Sequence, residues 1–390
     1  MADALRFGIF VPPQHRTGQS PTVLLEQDLQ LIEEADRFGF DEAWVGEHRS
    51  AGWEIIGAPE TFLAAAASRT SRIKLATGVT ALPYQHPFVV ADRAVLLDHL
   101  TRGRFILGTG PGGSPVDAQM IGIEPRNQRR MQEESLEAIL ALLESEEPVT
   151  RKTDWFELHD ARLHLRPYST PRFEVATTAL ASPSGPSLAG RFGLSLFSIG
   201  ATTQDGFDFL GRTWEIAERA AAESGHVLDP ATWRLTAPIH IAETEREARE
   251  QAKAGLLAWM DGYWPIIPNL ALALPDGLSA DERIDAVNAY GLGVIGTPEM
   301  AIAKIAELRE AAPDFGVFLI SQYDWAGPRA TRESLQLFAR EVAPAFQGQL
   351  DRQLRGYRSV RDRMDSVRET AAEARAGAVR GYESAPAARG

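Results

Sequence analysis

Residues 72–114 constrain the fold more than any other stretch of the chain. They read Arg-Ile-Lys-Leu-Ala-Thr-Gly-Val-Thr-Ala-Leu-Pro, then a polar turn and a helix-like run, then Gly-Arg-Phe-Ile-Leu-Gly-Thr-Gly-Pro-Gly-Gly-Ser. The first apolar run, 73–79, is short and partly β-branched, and Pro83 and Pro87 bound it, which suits a buried strand. Val89, Val90, Val95, Leu96, Leu97 and Leu100 follow at helical spacing, and residues 104–107 are apolar again before glycines end them. Strand, helix and strand in this order form a unit that joins parallel strands by a right-handed crossover. Polar and glycine-rich residues follow each strand, at the end where α/β folds place their chemistry.

The same rhythm runs along the chain. Residues 6–11, 41–45, 73–79, 104–107, 174–178, 195–199, 233–242 and 316–321 read as strands alternating with amphipathic helices, eight units in all. That count fits an α/β (β/α)8 TIM barrel with insertions better than an open doubly wound sheet. The hairpin insertion spans 149–170, with strands expected at 155–158 and 162–167. Residues 261–293 are irregular and too long for an ordinary connection, which leaves a lid or a disordered insert. Past Gly348, arginine, acidic residues and alanine dominate, with Leu354, Tyr357, Val360, Met364 and Val367 three or four apart. The barrel is therefore expected over 1–347, and a helical C-terminal extension with a disordered end over 348–390. That extension would lie on the body or on a neighbouring subunit, as in a homo-oligomer.

A net charge of −13 argues against a nucleic-acid surface, which needs a basic stripe. The absence of cysteine excludes disulfides and thiolate chemistry. No run of apolar residues is long enough for a membrane helix, and the first strand begins too early to leave room for a signal peptide, so a cytoplasmic protein is expected.

Gly108-Thr-Gly110-Pro-Gly112-Gly113 has the dinucleotide-binding spelling, but Pro111 and Pro115 stand where the phosphate-binding helix should open, and no short helix is expected there. The loop either lets backbone approach a flat ligand or is a tight turn. Glu47-His48 at a strand end is the leading acid–base candidate, against a capping glutamate and a surface histidine. His86 lies at the same mouth or caps the next helix, whereas His159 and His164 read as structural residues of the hairpin. No metal-ligand spacing and no nucleophile elbow are present, which points to chemistry carried by a bound cofactor. Ser182-Pro-Ser184-Gly185-Pro-Ser187 is a phosphate site at a helix start, or a proline-rich loop with capping serines.

Phe40-Asp-Glu-Ala-Trp-Val-Gly-Glu-His48, Pro83-Tyr-Gln-His-Pro87, Leu97-Asp-His-Leu-Thr-Arg-Gly-Arg-Phe-Ile-Leu-Gly108, Ser182-Pro-Ser-Gly185, and the ending from Gly296-Thr-Pro-Glu299 to Asp324-Trp325-Ala326 stand in a recognisable order. Over residues 5–346 the chain resembles the bacterial luciferase-like flavin-dependent monooxygenases, and most of all their limonene 1,2-monooxygenase-like branch. The resemblance implies a barrel binding reduced FMN from a separate flavin reductase. It also implies reaction with O₂ to a C4a-(hydro)peroxyflavin, and transfer of one oxygen atom to a hydrophobic, terpene- or natural-product-like molecule. By match, Glu47 and His48 lie beside the isoalloxazine as catalytic residues. Gly78-Val79 falls where the family often has a non-proline cis peptide against the ring. Gly110 and Gly112 fall on a loop near the flavin, and Ser182, Ser184 and Gly185 on the phosphate loop.

Two departures are visible. Arg49 replaces a frequent second histidine, and Pro111 stands where luciferases carry a phosphate-side arginine, a charge Arg162 or Arg166 could supply. A peroxyflavin must be shielded from water, and residues 261–293 form the lid candidate. Tyr84 at the mouth and Trp259, Tyr263 and Trp264 around the lid are the candidates for substrate contact. Two alternatives remain: a deazaflavin-dependent dehydrogenase on the same barrel, and a non-catalytic flavin-binding subunit.

Overall fold

The structure, a computed structural model, describes residues 4–266 and 277–383. Its strands in chain order are β1 (Arg6–Val11), β2 (Glu42–Val45), β3 (Lys74–Thr77), β4 (Thr80–Ala81), β5 (Phe105–Gly110), β6 (Val149–Lys152), β7 (Glu157–Ala161), β8 (Glu174–Ala179), β9 (Ser195–Ser198), β10 (Arg234–Ile241), β11 (Val294–Gly296) and β12 (Val317–Ser321). Eight of these pair in parallel as β1-β2-β3-β5-β8-β9-β10-β12, and β12 returns to β1, so the sheet closes into the expected barrel. β4 adds to β5 and β11 to β10. The helices start where the sequence places proline in the first turn, as at Pro21–Phe38, Pro59–Ala67, Pro87–Thr101 and Pro298–Ala311. A missing N–H costs nothing there, because first-turn amides have no intrahelical acceptor.

β5 and β10 are buried along their whole length, as parallel strands covered by helices on one side and barrel core on the other must be. The interior layer joins Phe10, Trp44, Ala76, Ile106, Ala176, Phe197, Val317 and Leu319. The Trp44 and Phe197 rings lie 4.8 Å apart. This layer explains Gly108: a Cβ there would sit 2.6 Å from the Trp44 ring, so the indole fills the space a side chain would need.

Towards the N-terminal ends of the strands the interior is ionic. Arg234 is wholly buried; its Nε and Nη2 each donate to Glu42 at 2.9 Å, and its Nη1 lies 2.6 Å from Glu174. The guanidinium also lies 5.2 Å from the Trp44 ring centroid. β2, β8 and β10 are thus tied across the inside of the barrel, at the end away from Glu47 and His48.

Several expectations need correction. A short helix, Pro115–Met120, does begin after the glycine-rich loop, capped by Ser114. Proline stops an existing helix but suits its first turn, so Pro115 marks a start. The hairpin is β6 with β7, not 155–158 with 162–167. Thr153 and Phe156 close its turn through backbone and hydroxyl hydrogen bonds, which puts Trp155 in the turn itself. His159 is exposed beside Glu157 and His164 is exposed, so neither supports a core. The 261–293 region contains a regular helix, Ala280–Ala289, started by a capping box between Ser279 and Glu282. Residues 267–276 of the lid candidate lie outside the described residues, as does the expected disordered end at 384–390.

The chain divides into two compact units, one ending at Ala343 and one beginning at Pro344. The second contains the helices Asp351–Arg361 and Met364–Glu383, on which Leu354, Tyr357, Val360 and Val367 are exposed. Among the described residues, no helix is long and apolar enough to cross a membrane.

The buried ion cluster gives a direct test. Arg234→Met leaves Glu42 and Glu174 facing one another without the guanidinium between them, with Arg6 3.6 Å from Glu42 and Lys74 3.4 Å from Glu174 still in place, and the loss is expected to be about 3–5 kcal/mol, read as a lower urea midpoint. Arg234 and Lys74, acting against the opposing effect of burial, hold the Glu174 carboxyl down at about 2. A depressed carboxylate contributes stability above its unfolded value of 4.5 and loses it as pH falls towards about 2. The variant's deficit should therefore shrink between pH 5 and pH 3; a constant deficit would contradict this origin.

Candidate active site

Closure of the barrel brings the C-terminal ends of β2, β3, β5 and β8 to one mouth. After β2, Gly46 leads into Glu47, His48 and Arg49. Glu47 is buried, and both of its oxygens are engaged: Oε2 accepts from the Ala81 amide at 2.9 Å, and Oε1 accepts from the Arg49 guanidinium. Burial pushes its carboxyl up, against the opposing pull of Arg49 and the Ala81 amide. Glu47 therefore anchors the loop after β2 onto β4. Arg49, at the position of the expected second histidine, turns back on Glu47 and lies 5.6 Å from the Tyr84 ring centroid.

His48 is about one quarter exposed, with 27% of its side chain accessible. Its backbone amide donates to the Ile56 carbonyl at 3.1 Å. Its Nδ1 lies 3.0 Å from Asp117 Oδ2, so Nδ1–H donates to that carboxylate, and Nε2 lies 3.8 Å from Glu54 Oε1. Burial alone would lower the imidazole's proton affinity, but the Asp117 hydrogen bond and the charges of Glu54, Asp117 and Glu47 outweigh it and raise it. Asp117 comes from the short helix Pro115–Met120, where Ser114 Oγ accepts the Asp117 amide at 3.4 Å. Its carboxyl is held down, burial opposing and the His48 and Ser50 hydrogen bonds prevailing.

The glycine-rich loop runs beside the imidazole: a Cβ on Gly113 would be 3.7 Å from His48 Cε1. Gly112 has φ +91°, and a side chain there would collide with the Tyr84 hydroxyl, so only glycine suits the position. Tyr84 accepts from Gln128 Nε2 at 3.1 Å, and that nitrogen also donates to the Pro111 carbonyl at 2.9 Å. Tyr84 thus pins the loop. His86, by contrast, caps the helix Pro87–Thr101.

Gly78-Val79 is a cis peptide at the end of β3. A Cβ on Gly110 would lie 2.7 Å from Val79 and 3.1 Å from Thr178 Oγ1, and one on Gly185 would strike the Thr178 carbonyl. Gly78-Val79, Gly110, Thr178 and Gly185 are therefore contiguous, a floor made mostly of backbone. Beyond it the helix Ser184–Phe192 opens at Pro183 with no side-chain cap, while the Ser182 and Ser184 hydroxyls lie 3.1 Å apart. Uncapped first-turn amides beside two hydroxyls suit a phosphate, and a floor without side chains suits a flat ring system, so these residues fit a flavin mononucleotide. The hairpin arginines do not join them. The Arg166 carbonyl lies 2.9 Å from His99 Nε2 at the far end of helix Pro87–Thr101, and its guanidinium pairs with Glu146. Arg162 follows β7 at the level of Val149, at that same lower end.

Trp259, Tyr263 and Trp264 are buried together with Trp53 and Trp325, and Tyr323 packs against them, so they form an aromatic wall and not an exposed flap. Tyr263 donates to Glu54 Oε1 and accepts from Gln14 Nε2 at 2.8 Å, while Trp259 Nε1 donates to Gln14 Oε1 at 2.9 Å. Sequence reasoning missed Asp117, Glu54 and Gln14. A signal existed for the first, since Ser114-Pro115-x-Asp117 is a helix-start pattern. Glu54 and Gln14 sit in loops with no periodicity. Among the described residues, no cluster of three or more histidine, aspartate or glutamate side chains is arranged to hold a metal.

Comparison with known proteins agrees with this geometry. The family model described as luciferase-like monooxygenase matches residues 5–314. Limonene 1,2-monooxygenase of Rhodococcus erythropolis is 47% identical over 98% of this chain and 97% of its own length. 4-Hydroxyprotoasukamycin monooxygenase of Streptomyces nodosus subsp. asukaensis is 43% identical over 90% of this chain and 94% of its own. Among solved structures, the oxygenating constituent of 3,6-diketocamphane monooxygenase from Pseudomonas putida, a type II Baeyer–Villiger monooxygenase in complex with FMN, superposes with a TM-score of 0.71 at 27% identity, covering 87% of this chain and 98% of that one. The chain belongs to the luciferase-like monooxygenase family, on the branch of limonene 1,2-monooxygenase.

Proposed function

We propose that this chain is the oxygenating component of a two-component monooxygenase that uses reduced FMN, delivered by a separate flavin reductase, and O₂ to oxygenate a hydrophobic, terpene- or natural-product-like small molecule. The observation that carries this reading is the meeting, at one mouth, of a backbone floor at Gly78-Val79 and Gly110, an uncapped serine-bearing helix start, and an imidazole hydrogen-bonded to a carboxylate. Likeness to limonene 1,2-monooxygenase and to the FMN-bound oxygenating constituent of 3,6-diketocamphane monooxygenase supports both the cofactor and the substrate class.

Bound reduced FMN supplies the electrons that activate O₂; the protein supplies position, protons and shelter. Ser182, Ser184 and the first amides of the helix Ser184–Phe192 hold the phosphate. Gly78, Val79 and Gly110 would support the ring, and Gly112 would let the loop after β5 approach it. His48 presents Nε2 as the group that holds or moves a proton, its other nitrogen fixed by Asp117. Tyr84 and the wall of Trp259, Tyr263 and Trp264 favour an apolar substrate and exclude water.

The reaction itself is tested by mixing the protein with chemically reduced FMN, ¹⁸O₂ and a panel of cyclic terpenes. One labelled oxygen per product molecule is expected. Hydride transfer to or from a deazaflavin without O₂ uptake would replace this reading. His48→Ala should leave FMN affinity within a few-fold while product formation falls about 10²–10⁴-fold, the usual worth of a positioned acid–base group; normal turnover would remove His48 from the chemistry. The Ser182→Ala/Ser184→Ala double variant should weaken FMN about ten- to a hundredfold, as expected for lost hydrogen bonds to a charged group, and riboflavin hardly at all. Equal losses for both ligands would place the phosphate elsewhere.

A further inference from the structure

Glu54 is a buried carboxylate at the mouth to which the proposed function gives no role. It lies in the loop after β2, bridged to Gln14 in the loop after β1. Its side chain is 1% exposed. Oε1 accepts from the Tyr263 hydroxyl and faces His48 Nε2 at 3.8 Å, while Oε2 is buried with no hydrogen-bond partner among the described residues. A purely structural carboxylate would have both oxygens satisfied, as Glu47 does. A buried carboxylate with one bare oxygen is costly unless a cation stands close by. The basic group that faces it is the His48 imidazole. Arg49, in the same loop, is committed to Glu47.

We propose that Glu54 is a positioning residue for His48, holding the imidazole in its charged form from the Nε2 side while Asp117 fixes Nδ1, and that Tyr263 keeps Glu54 in place. The imidazole is thus set between two carboxylates with separate tasks. Asp117 takes the Nδ1 proton and so decides which nitrogen is left for chemistry. Glu54 stabilises a proton on that second nitrogen without forming a hydrogen bond to it, because 3.8 Å exceeds bonding distance. The Nε2 proton stays available to a partner at the mouth. When it leaves, a lone pair faces Oε1, and Glu54 then favours its neutral form, so the two groups titrate together. Burial pushes the Glu54 carboxyl up, while the His48 charge and the Tyr263 hydrogen bond pull it back down.

The charged and titratable groups acting on His48 are Asp117 from the short helix, Glu54 and Glu47 from its own loop, Arg49 through Glu47, and Tyr263 through Glu54. Tyr263 ends a π-helical turn, Trp259–Tyr263, that continues the helix Glu245–Ala258. Its hydroxyl lowers the Glu54 carboxyl, and the phenol is itself pushed up by burial and by Glu54. The aromatic wall is thus wired to the protonation of His48 through one hydrogen bond. An apolar ligand that displaced Tyr263 would loosen Glu54 and ease release of the Nε2 proton.

This proposal rests on the reading of His48 as the acid–base group, but its test does not need turnover. The titration of His48 is followed by NMR in the full-length protein without added flavin, with His48→Gln identifying the signal. Glu54→Gln should lower the proton affinity of His48 about tenfold. Tyr263→Phe should lower it by less, and Glu54→Asp should restore part of the loss. A fall of threefold or more in Glu54→Gln, with Tyr263→Phe between it and the unaltered protein, supports the assignment. Should Glu54→Gln fail to fold, the same threefold threshold is applied to Tyr263→Phe. A smaller change overturns the proposal and leaves Glu54 a structural residue. If the shift is found but His48→Ala oxygenates normally, the coupling stands and the acid–base reading falls.

Discussion

Everything at the functional end of this protein depends on the parallel closure of eight strands. Because all of them point the same way, their C-terminal loops meet at one mouth, and residues as far apart in sequence as His48, Asp117 and Tyr263 come within reach of one another. The opposite end can then be sealed. Arg234 does this between Glu42 and Glu174, with Trp44 and Phe197 packed above it. A buried ion cluster is a poor source of net stability but a strong constraint on register, because a slip in β2, β8 or β10 would leave charges unpaired. The ionic floor, the aromatic middle layer and the polar mouth form one stack. The positions of Gly78, Gly110 and Gly185 are set by how tightly the strands and loops around that stack approach.

The mouth has two unlike sides. On one lie backbone, small residues and hydroxyls: the cis peptide at Gly78-Val79, Gly110, Thr178 and the Ser182–Gly185 loop. On the other lie Tyr84 and the cluster around Trp259. His48 stands between them, flanked by the carboxylates of Asp117 and Glu54. This division would suit a flat polar cofactor facing an apolar substrate, with the His48 imidazole at the boundary between them.

The strands were legible because parallel strands buried on both faces are short apolar runs, and every ring strand was read within a few residues of its place. The place of Glu47 and His48 at the mouth was legible because they directly follow a strand, and the Gly78-Val79 cis bond because its position in the resemblance marked it. Other features were hidden for physical reasons. The helix that delivers Asp117 is only six residues long and begins at a proline that also reads as a breaker. Glu54 meets Tyr263 from 209 residues away, a contact that no local pattern encodes. The 259–264 aromatics stand among glycines and prolines that suggest an irregular flap; packing against Trp53 and Trp325 makes them a wall instead. The hairpin misreading has a related cause. Alternation at 162–167 imitates a strand, but the turn chemistry of Thr153 to Phe156 fixes the pairing elsewhere.

Where a flavin sits decides what the mouth of the barrel does. The decisive measurement is a crystal structure of this protein with FMN. The expected result has the isoalloxazine against Gly78-Val79, the phosphate among Ser182, Ser184 and Gly185, and His48 Nε2 facing the ring across the mouth. A ring stacked among Trp259, Tyr323 and Trp325, or a phosphate held away from the serine loop, would contradict it.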